Sequence, residues 1–83
     1  METCIGVVTH YYNHIGVAVL SLSDTLKLND LIHVLGYSTD FYQKVSSMEI
    51  EHHKVLSAGP GMEVALKVDE VVRRGDEIYL VQE

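Results

Sequence analysis

Short apolar runs separated by turn-forming residues account for most of the chain. They are CIGVVTH (4–10), HIGVAVLSL (14–22), LIHVLG (31–36), FYQKVSSMEIEHH (41–53), MEVALKV (62–68) and EIYLVQ (77–82). Many of their residues are β-branched, and no window carries the i, i+3, i+4, i+7 stripe of an amphipathic helix. Six such segments predict an all-β fold, namely a single small six-stranded antiparallel β-barrel with Greek-key-like order over residues 1–83.

Alternation within the runs predicts which side chains fill the barrel, because residues i and i+2 share one face of a strand. It is clearest in MEVALKV, where Met62, Val64, Leu66 and Val68 occupy even positions and share one face. The predicted core consists of Ile5, Val7, Val17, Val19, Leu31, Val34, Val45, Met48, Ile50, Val64, Leu66, Val68, Ile78 and Leu80.

The second run is apolar at both odd and even positions, so both faces of its strand are expected to be covered. The outer face would then pack on a loop or on a partner. Ile15, Val17 and Val19 are accordingly candidates for docking another protein.

The fourth run changes its apolar phase in the middle. Val45 is at an odd position, whereas Met48 and Ile50 are at even ones. An extra residue at Ser46–Ser47, a β-bulge, would turn all three side chains inward and bend the strand at a barrel corner. The alternative is a regular strand from which Val45 points outward.

Composition limits the classes of function. The net charge of −6 counts against non-specific binding along a phosphate backbone, although a local basic patch remains compatible with it. One cysteine suits a reducing compartment. Residues 1–10 lack the features of a signal peptide, and the longest apolar run is too short to span a bilayer. We expect a cytoplasmic protein that does not contact membranes.

No catalytic or metal-binding motif stands out. His10 and His14 have H-x-x-x-H spacing, but a predicted turn separates them, so we expect no metal site. Cys4 has no recognisable base near it in sequence, and Ser46, Ser47 and His52 lack a nucleophile motif. The sequence therefore predicts a non-catalytic protein without cofactors.

The order of motifs resembles domain 2 of the translational GTPases, the β-barrel of elongation factor Tu. The matching stretches are IGVVTH, LKLND, VSSMEIEHHKVLSAGPGMEVALKV and RRGD, within residues 5–81. Asn29 replaces the glycine of the family's L-K-x-G-D turn, and asparagine tolerates the left-handed conformation that this position requires. No Asp follows Gly61, where the family has one. Similar barrels also occur at the C-terminus of some collagenase-like peptidase family members.

The resemblance implies binding without GTP hydrolysis, because the chain has no G-x-x-x-x-G-K-[ST] phosphate loop. One hypothesis is association with tRNA, rRNA or the ribosome, or with RNA modification. Its contact candidates are Tyr11, Tyr12, Tyr37, Lys54, Arg73 and Arg74. The alternative hypothesis is an adaptor that docks on a separate enzyme, such as a peptidase-family protein.

Overall fold

The computed structural model of the protein describes residues 1–82, which form ten β-strands. These are β1 (Glu2–Tyr12), β2 (Val17–Leu22), β3 (Leu26–Lys27), β4 (Leu31–Leu35), β5 (Asp40–Lys44), β6 (Met48–Ile50), β7 (His53–Lys54), β8 (Ser57–Ala58), β9 (Glu63–Lys67) and β10 (Glu77–Val81). The described residues contain no helix, so none could cross a membrane. The prediction of an all-β fold is confirmed.

All strand pairs are antiparallel, as predicted. Eight strands form one sheet in the order β5-β4-β10-β1-β2-β9-β6-β7, and β3 and β8 form a second sheet of two strands. The predicted six-stranded barrel is not confirmed, because the large sheet has eight strands and no strand pairing among residues 1–82 joins β5 to its far edge, β7. The buried side chain of Gln43 instead connects β5 to the end of β9. Its Nε2 donates to the Lys67 carbonyl oxygen at 3.0 Å, and its Oε1 accepts from the Asp69 amide at 2.7 Å.

One apolar core lies inside the curved sheet. Most of the predicted core is confirmed, and the fully or almost fully buried residues include Ile5, Val34, Val45, Met48, Val64, Leu66, Val68 and Ile78. Ile50 and Leu80 are partly buried against this core.

Four core predictions were wrong, and the strand faces explain why. Val7 and Leu31 are each 36% exposed. In β1 the pairing register shifts between Cys4 and Gly6 and again between Val8 and His10, so the inward-facing parity changes along the strand and selects Val8 rather than Val7. Leu31 lies on the face of β4 opposite to its buried neighbour Ile32.

The remaining two wrong core predictions are Val17 and Val19, which lie on the outer face of β2. Burial alternates along this strand, with Ala18, Leu20 and Leu22 buried and the residues between them only half-buried. The sequence could not distinguish the two faces because both are apolar. The face that turns inward is the one that carries the larger side chains, Leu20 and Leu22.

The phase change at residues 44–48 marks the end of one strand and not a bulge within it. β5 ends at Lys44, β6 begins at Met48, and the two strands pair with different neighbours. Val45, directly after β5, still contacts the chain before β4: its amide donates to the Asp30 carbonyl oxygen at 2.9 Å, and its carbonyl accepts from the Asn29 amide at 2.8 Å. The bulge prediction was therefore wrong, although Val45 and Met48 are both buried as expected.

The expected left-handed conformation of Asn29 is confirmed, with φ at 73°. Asn29 lies in the turn between β3 and β4, and its conformation lets the chain reverse there without a glycine.

Candidate docking groove and His33 cluster

The outer face of β2 and β9 carries a short apolar strip. Val17 pairs in register with Lys67, and Val19 pairs with Ala65. The two valines and Ala65 are half-buried, and Ile15, in the turn before β2, is 60% exposed. The docking candidates from the sequence therefore lie together on the surface.

This strip forms the floor of a surface groove. One part has a volume of about 450 Å³, with Ile15, Val17, Ala65 and Lys67 among its lining residues. An adjoining part of about 230 Å³ is lined by residues that include Val19, Glu51 and Glu63. Both parts share Glu49, His52 and Ala65, so they are continuous, and together they are called the outer groove below.

The two ends of the outer groove differ in charge. At one end Lys67 donates from Nζ to the Ile15 carbonyl oxygen at 2.7 Å. The part at the other end is lined by Glu51 and Glu63, and Glu49 lines both parts. None of these three glutamates forms a salt bridge within residues 1–82. The groove therefore offers an apolar floor next to three carboxylates that form no salt bridge in the described part of the chain, and one of them, Glu49, has Lys54 opposite it on β7.

The turn between β6 and β7 lies at the rim of the outer groove and has a strained backbone. Ile50 pairs with His53, so the turn consists of Glu51 and His52 alone. Their φ angles are 49° and 67°. Two-residue turns with positive φ at both positions favour Asn-Gly, and other residues there cost on the order of 1–3 kcal/mol each.

A second polar arrangement lies on the outer face of β1, β10, β4 and β5. His33 is only 8% exposed, and each of its ring nitrogens meets a different carboxylate. Nδ1 lies 2.7 Å from Glu2 Oε1, and Nε2 lies 2.6 Å from Asp40 Oδ1. The Tyr42 hydroxyl donates to Glu2 Oε2 at 2.8 Å, and its ring stacks on the imidazole with 4.1 Å between ring centres. We call these four residues the His33 cluster.

The titration behaviour of the cluster follows from these contacts. Burial alone would lower the pKa of His33, but the hydrogen bonds to Glu2 and Asp40 outweigh it and raise the pKa above its usual value of 6.5. The hydrogen bond from His33, followed by that from Tyr42, lowers the pKa of Glu2. The same bond to Glu2 raises the pKa of Tyr42. The imidazolium form, which can donate from both nitrogens, is the form that this geometry stabilises.

The His33 cluster is suited to holding strands together and not to proton transfer or metal binding. Both ring nitrogens are engaged, so neither presents a lone pair to a substrate or a metal ion. In the part of the chain that the structure describes, no group of three or more His, Cys, Asp or Glu residues is arranged to hold a metal. Cys4 is exposed, and its Sγ lies 3.7 Å from the Gly6 carbonyl oxygen.

Sequence reasoning missed the His33 cluster. The alternation in LIHVL does place His33 on the face opposite Ile32 and Val34. Nothing in the sequence indicates that Glu2, 31 positions away, lies beside it. That proximity depends on β10 inserting between β1 and β4.

The RNA-contact candidates occupy several parts of the surface. Tyr37 is fully exposed in the turn after β4, and Arg73 donates from Nε to the neighbouring Ser38 hydroxyl at 2.8 Å. Arg74 is exposed beside Arg73. Lys54 lies on β7 in register with Glu49.

The two tyrosines at the end of β1 differ from each other. Tyr11 is half-buried against the core, whereas Tyr12 is 49% exposed and its ring lies 4.3 Å from that of His10. His14 lies in the turn after β1. The structure thus brings the turn containing Tyr37 to Arg73, and it links none of the other candidates to that pair by a hydrogen bond among the described residues.

The fold and surface define a small antiparallel β-domain with an apolar outer groove. No protein-family model matches the chain. The chain is 38% identical over 80 residues to an uncharacterized protease of Methanocaldococcus jannaschii. The match covers 95% of this chain and 20% of that protease, so the chain spans about a fifth of the relative's length.

The fold itself has been observed in solved structures. The chain resembles the C-terminal domain of a Geobacillus thermoleovorans protein assigned to the U32 peptidases, with a TM-score of 0.88, 18% sequence identity, and coverage of 94% of this chain and 91% of that one. A selenomethionine variant of the same domain matches with a TM-score of 0.87 and 19% identity, covering 92% and 96% of the two chains.

These comparisons correct the assignment made from the motifs. The resemblance to domain 2 of elongation factor Tu was wrong as an identification, because the similar sequence is that of a protease and the similar structures are a peptidase domain. The similarity to the C-terminal barrels of collagenase-like peptidases, which the motifs also indicated, agrees better with these protease and peptidase matches. The shared turns and alternation reflect a common type of β-domain, which does not fix function.

Proposed function

We propose that this chain is a non-catalytic binding module that associates with a peptidase-family protein. The observation that carries the proposal is the sequence match, in which nearly the whole chain corresponds to one fifth of a protease. In that relative, a segment like this one is covalently joined to a much larger polypeptide. The similarity of fold to a peptidase's C-terminal domain supports the same conclusion.

The surface fits a binding role better than a catalytic one. His33 has both nitrogens engaged by carboxylates, and Cys4 contacts only a backbone oxygen within the described hydrogen-bond network. The half-buried valines of the outer groove and the exposed Ile15 instead offer area that a partner can cover. Residues 1–82 act as one unit in this proposal, held by a single core.

The tRNA or rRNA hypothesis gains no support from the comparisons. Its candidate cations are few, and Lys54 lies opposite a glutamate. Binding of tRNA is therefore measured in the experiment below, as the result that would favour the RNA hypothesis.

The proposal is tested with the M. jannaschii protease from which the matching 80-residue segment has been deleted. Folding of the shortened protease is first verified by circular dichroism. Sedimentation velocity of this chain mixed with it should then show a complex, whereas the intact protease, whose own segment occupies the site, should give none. Absence of a complex with the shortened protease, together with low-salt binding to tRNA, would reject the proposal in favour of the RNA hypothesis.

A further inference from the structure

We infer that the outer groove is the surface on which this domain docks its peptidase-family partner, and that it receives a segment carrying aliphatic side chains next to lysine or arginine. This inference rests on the proposed function and adds the location and chemistry of the contact. The occupant is a protein segment, since the groove joins an apolar floor to uncompensated carboxylates.

The apolar floor supplies the first part of the contact. Val17, Val19 and Ala65 lie side by side on β2 and β9, and Ile15 adds a largely exposed side chain at one end. In the core-forming face of the same strands, Leu20 and Leu66 are completely buried. The outer face is therefore an apolar surface that the domain itself leaves uncovered, and it lines a surface depression of about 450 Å³.

Charge supplies the second part and specifies the partner. Glu49, Glu51 and Glu63 line the part of the groove that contains Val19, and none of them forms a salt bridge among residues 1–82, although Lys54 lies opposite Glu49 in the pairing of β6 with β7. A cationic side chain placed there would be attracted by these carboxylates, whereas a phosphate backbone would be repelled. Lys67 marks the opposite end, so the aliphatic part of the segment is expected to lie over Val17 and Ala65 and its cation towards Glu63.

The strained turn provides a third observation at the same place. Glu51 and His52 both adopt positive φ and both line the groove. A turn of Asn and Gly would avoid this strain but would remove one carboxylate and the imidazole from the rim. The positions therefore keep side chains that the fold itself does not favour.

Two pairs of variants test whether the partner docks on the outer groove. Each groove variant has a control elsewhere on the surface with a similar exposure or the same change in charge. Ile15→Asp alters the groove, and Val71→Asp is its control, because these side chains are 60% and 62% exposed. Glu63→Lys reverses a groove charge, and Glu70→Lys makes the same change in net charge at another exposed glutamate. Binding to the shortened protease should weaken roughly tenfold or more for both groove variants, and within about twofold for both controls.

A second measurement does not require the shortened protease to be stable. In a chimera, this chain replaces the matching segment of the M. jannaschii protease, which raises the effective concentration of the two surfaces. Hydroxyl-radical footprinting should then show several-fold slower modification of Ile15 than in the isolated chain, with Val71 unchanged.

The outcomes separate the two proposals. If the wild-type chain binds and the groove variants bind equally well, or if footprinting protects another surface, the groove is not the docking site while the proposed function stands. If the wild-type chain does not bind and the chimera shows no protected surface, the proposed function fails and the inference fails with it.

Discussion

His33 and Glu2 are joined by a 2.7 Å contact between Nδ1 and Oε1, although they are 31 positions apart in the sequence. The contact bridges β1 and β4 over the intervening strand β10. Because Asp40 holds the other ring nitrogen, the imidazole ties three strands together when it carries its second proton.

Stability should therefore decrease as the pH rises through the raised pKa of His33. A group with a higher pKa in the folded than in the unfolded protein contributes fully below its unfolded pKa, here about 6.5, and loses that contribution above the folded one. Glu2 behaves in the opposite way, because its pKa is lower in the folded protein than the usual 4.5. Its contribution to stability is complete above about pH 4.5 and is lost as the pH falls through the lowered pKa. The cluster should stabilise the fold most in the weakly acidic range between these limits.

His33→Phe tests this expectation, since phenylalanine keeps a ring for stacking on Tyr42 and removes both N–H donors. Thermal midpoints measured from about pH 6 to about pH 8 should fall for the wild-type chain and remain nearly constant for the variant. His14→Phe, in the exposed turn after β1, should retain the wild-type pH dependence. Equal pH profiles for the wild-type chain and His33→Phe would show that other groups cause the titration.

Gly36 is required by a buried carboxylate. A Cβ atom added at Gly36 would lie 1.8 Å from Asp76 Oδ1, and Asp76 is only 4% exposed. The other carboxylate oxygen of Asp76 accepts from the Arg73 amide at 2.8 Å, which fixes the turn before β10. Gly36→Ala must displace this carboxylate and should lower the free energy of unfolding by about 1–3 kcal/mol.

Gly59 provides the matched control for that substitution. A Cβ atom there would meet nothing within 4 Å, and the residue does not have a positive φ. Gly59→Ala should be neutral or stabilise the fold by up to about 1 kcal/mol through a less flexible unfolded chain. Urea unfolding of both variants measures the difference, and equal effects would mean that the position of Asp76 is not constrained as described.

The turn of Glu51 and His52 should be easy to stabilise. Replacing it by Asn-Gly supplies the residues that favour positive φ at both positions, and the free energy of unfolding should rise by about 1 kcal/mol or more. His53→Gly, one residue further on in β7, should instead destabilise the hairpin because it adds flexibility to a strand. A neutral or destabilising result for the Asn-Gly variant would show that the side chains of the turn contribute more to the fold than their backbone strain costs.

Sequence patterns predicted the fold best where alternation is unambiguous. Along β9 and directly after it, Val64, Leu66 and Val68 alternate with Ala65 and Lys67, and all three are buried as expected. The phase change between Val45 and Met48 was detected but misread, because a bulge and a change of strand give the same pattern over four residues. Only the pairing partners of β5 and β6 distinguish the two.

The candidate site was predicted in part. Ile15, Val17 and Val19 were expected at a docking surface, and they lie along the outer groove. The three glutamates and Ala65 were not expected there, since β9 pairs with β2, and β6 with β9, only through contacts between segments distant in the sequence. The motifs could not separate translation factors from peptidases, because turns and alternating strands report the type of β-domain and not its partner.

The two faces of β2 provide a direct test of the corrected core. Leu20 is fully buried, whereas the adjacent Val19 is half-buried on the outer groove. Leu20→Ala should therefore lower the free energy of unfolding by about 2–5 kcal/mol, through lost burial and the cavity left behind. Val19→Ala should cost less than about 1 kcal/mol, because the removed methyl groups are not enclosed and solvent can reach the site. If urea unfolding instead gave the larger loss for Val19→Ala, the strand would face the core in the opposite sense, and the apolar floor of the groove would not exist.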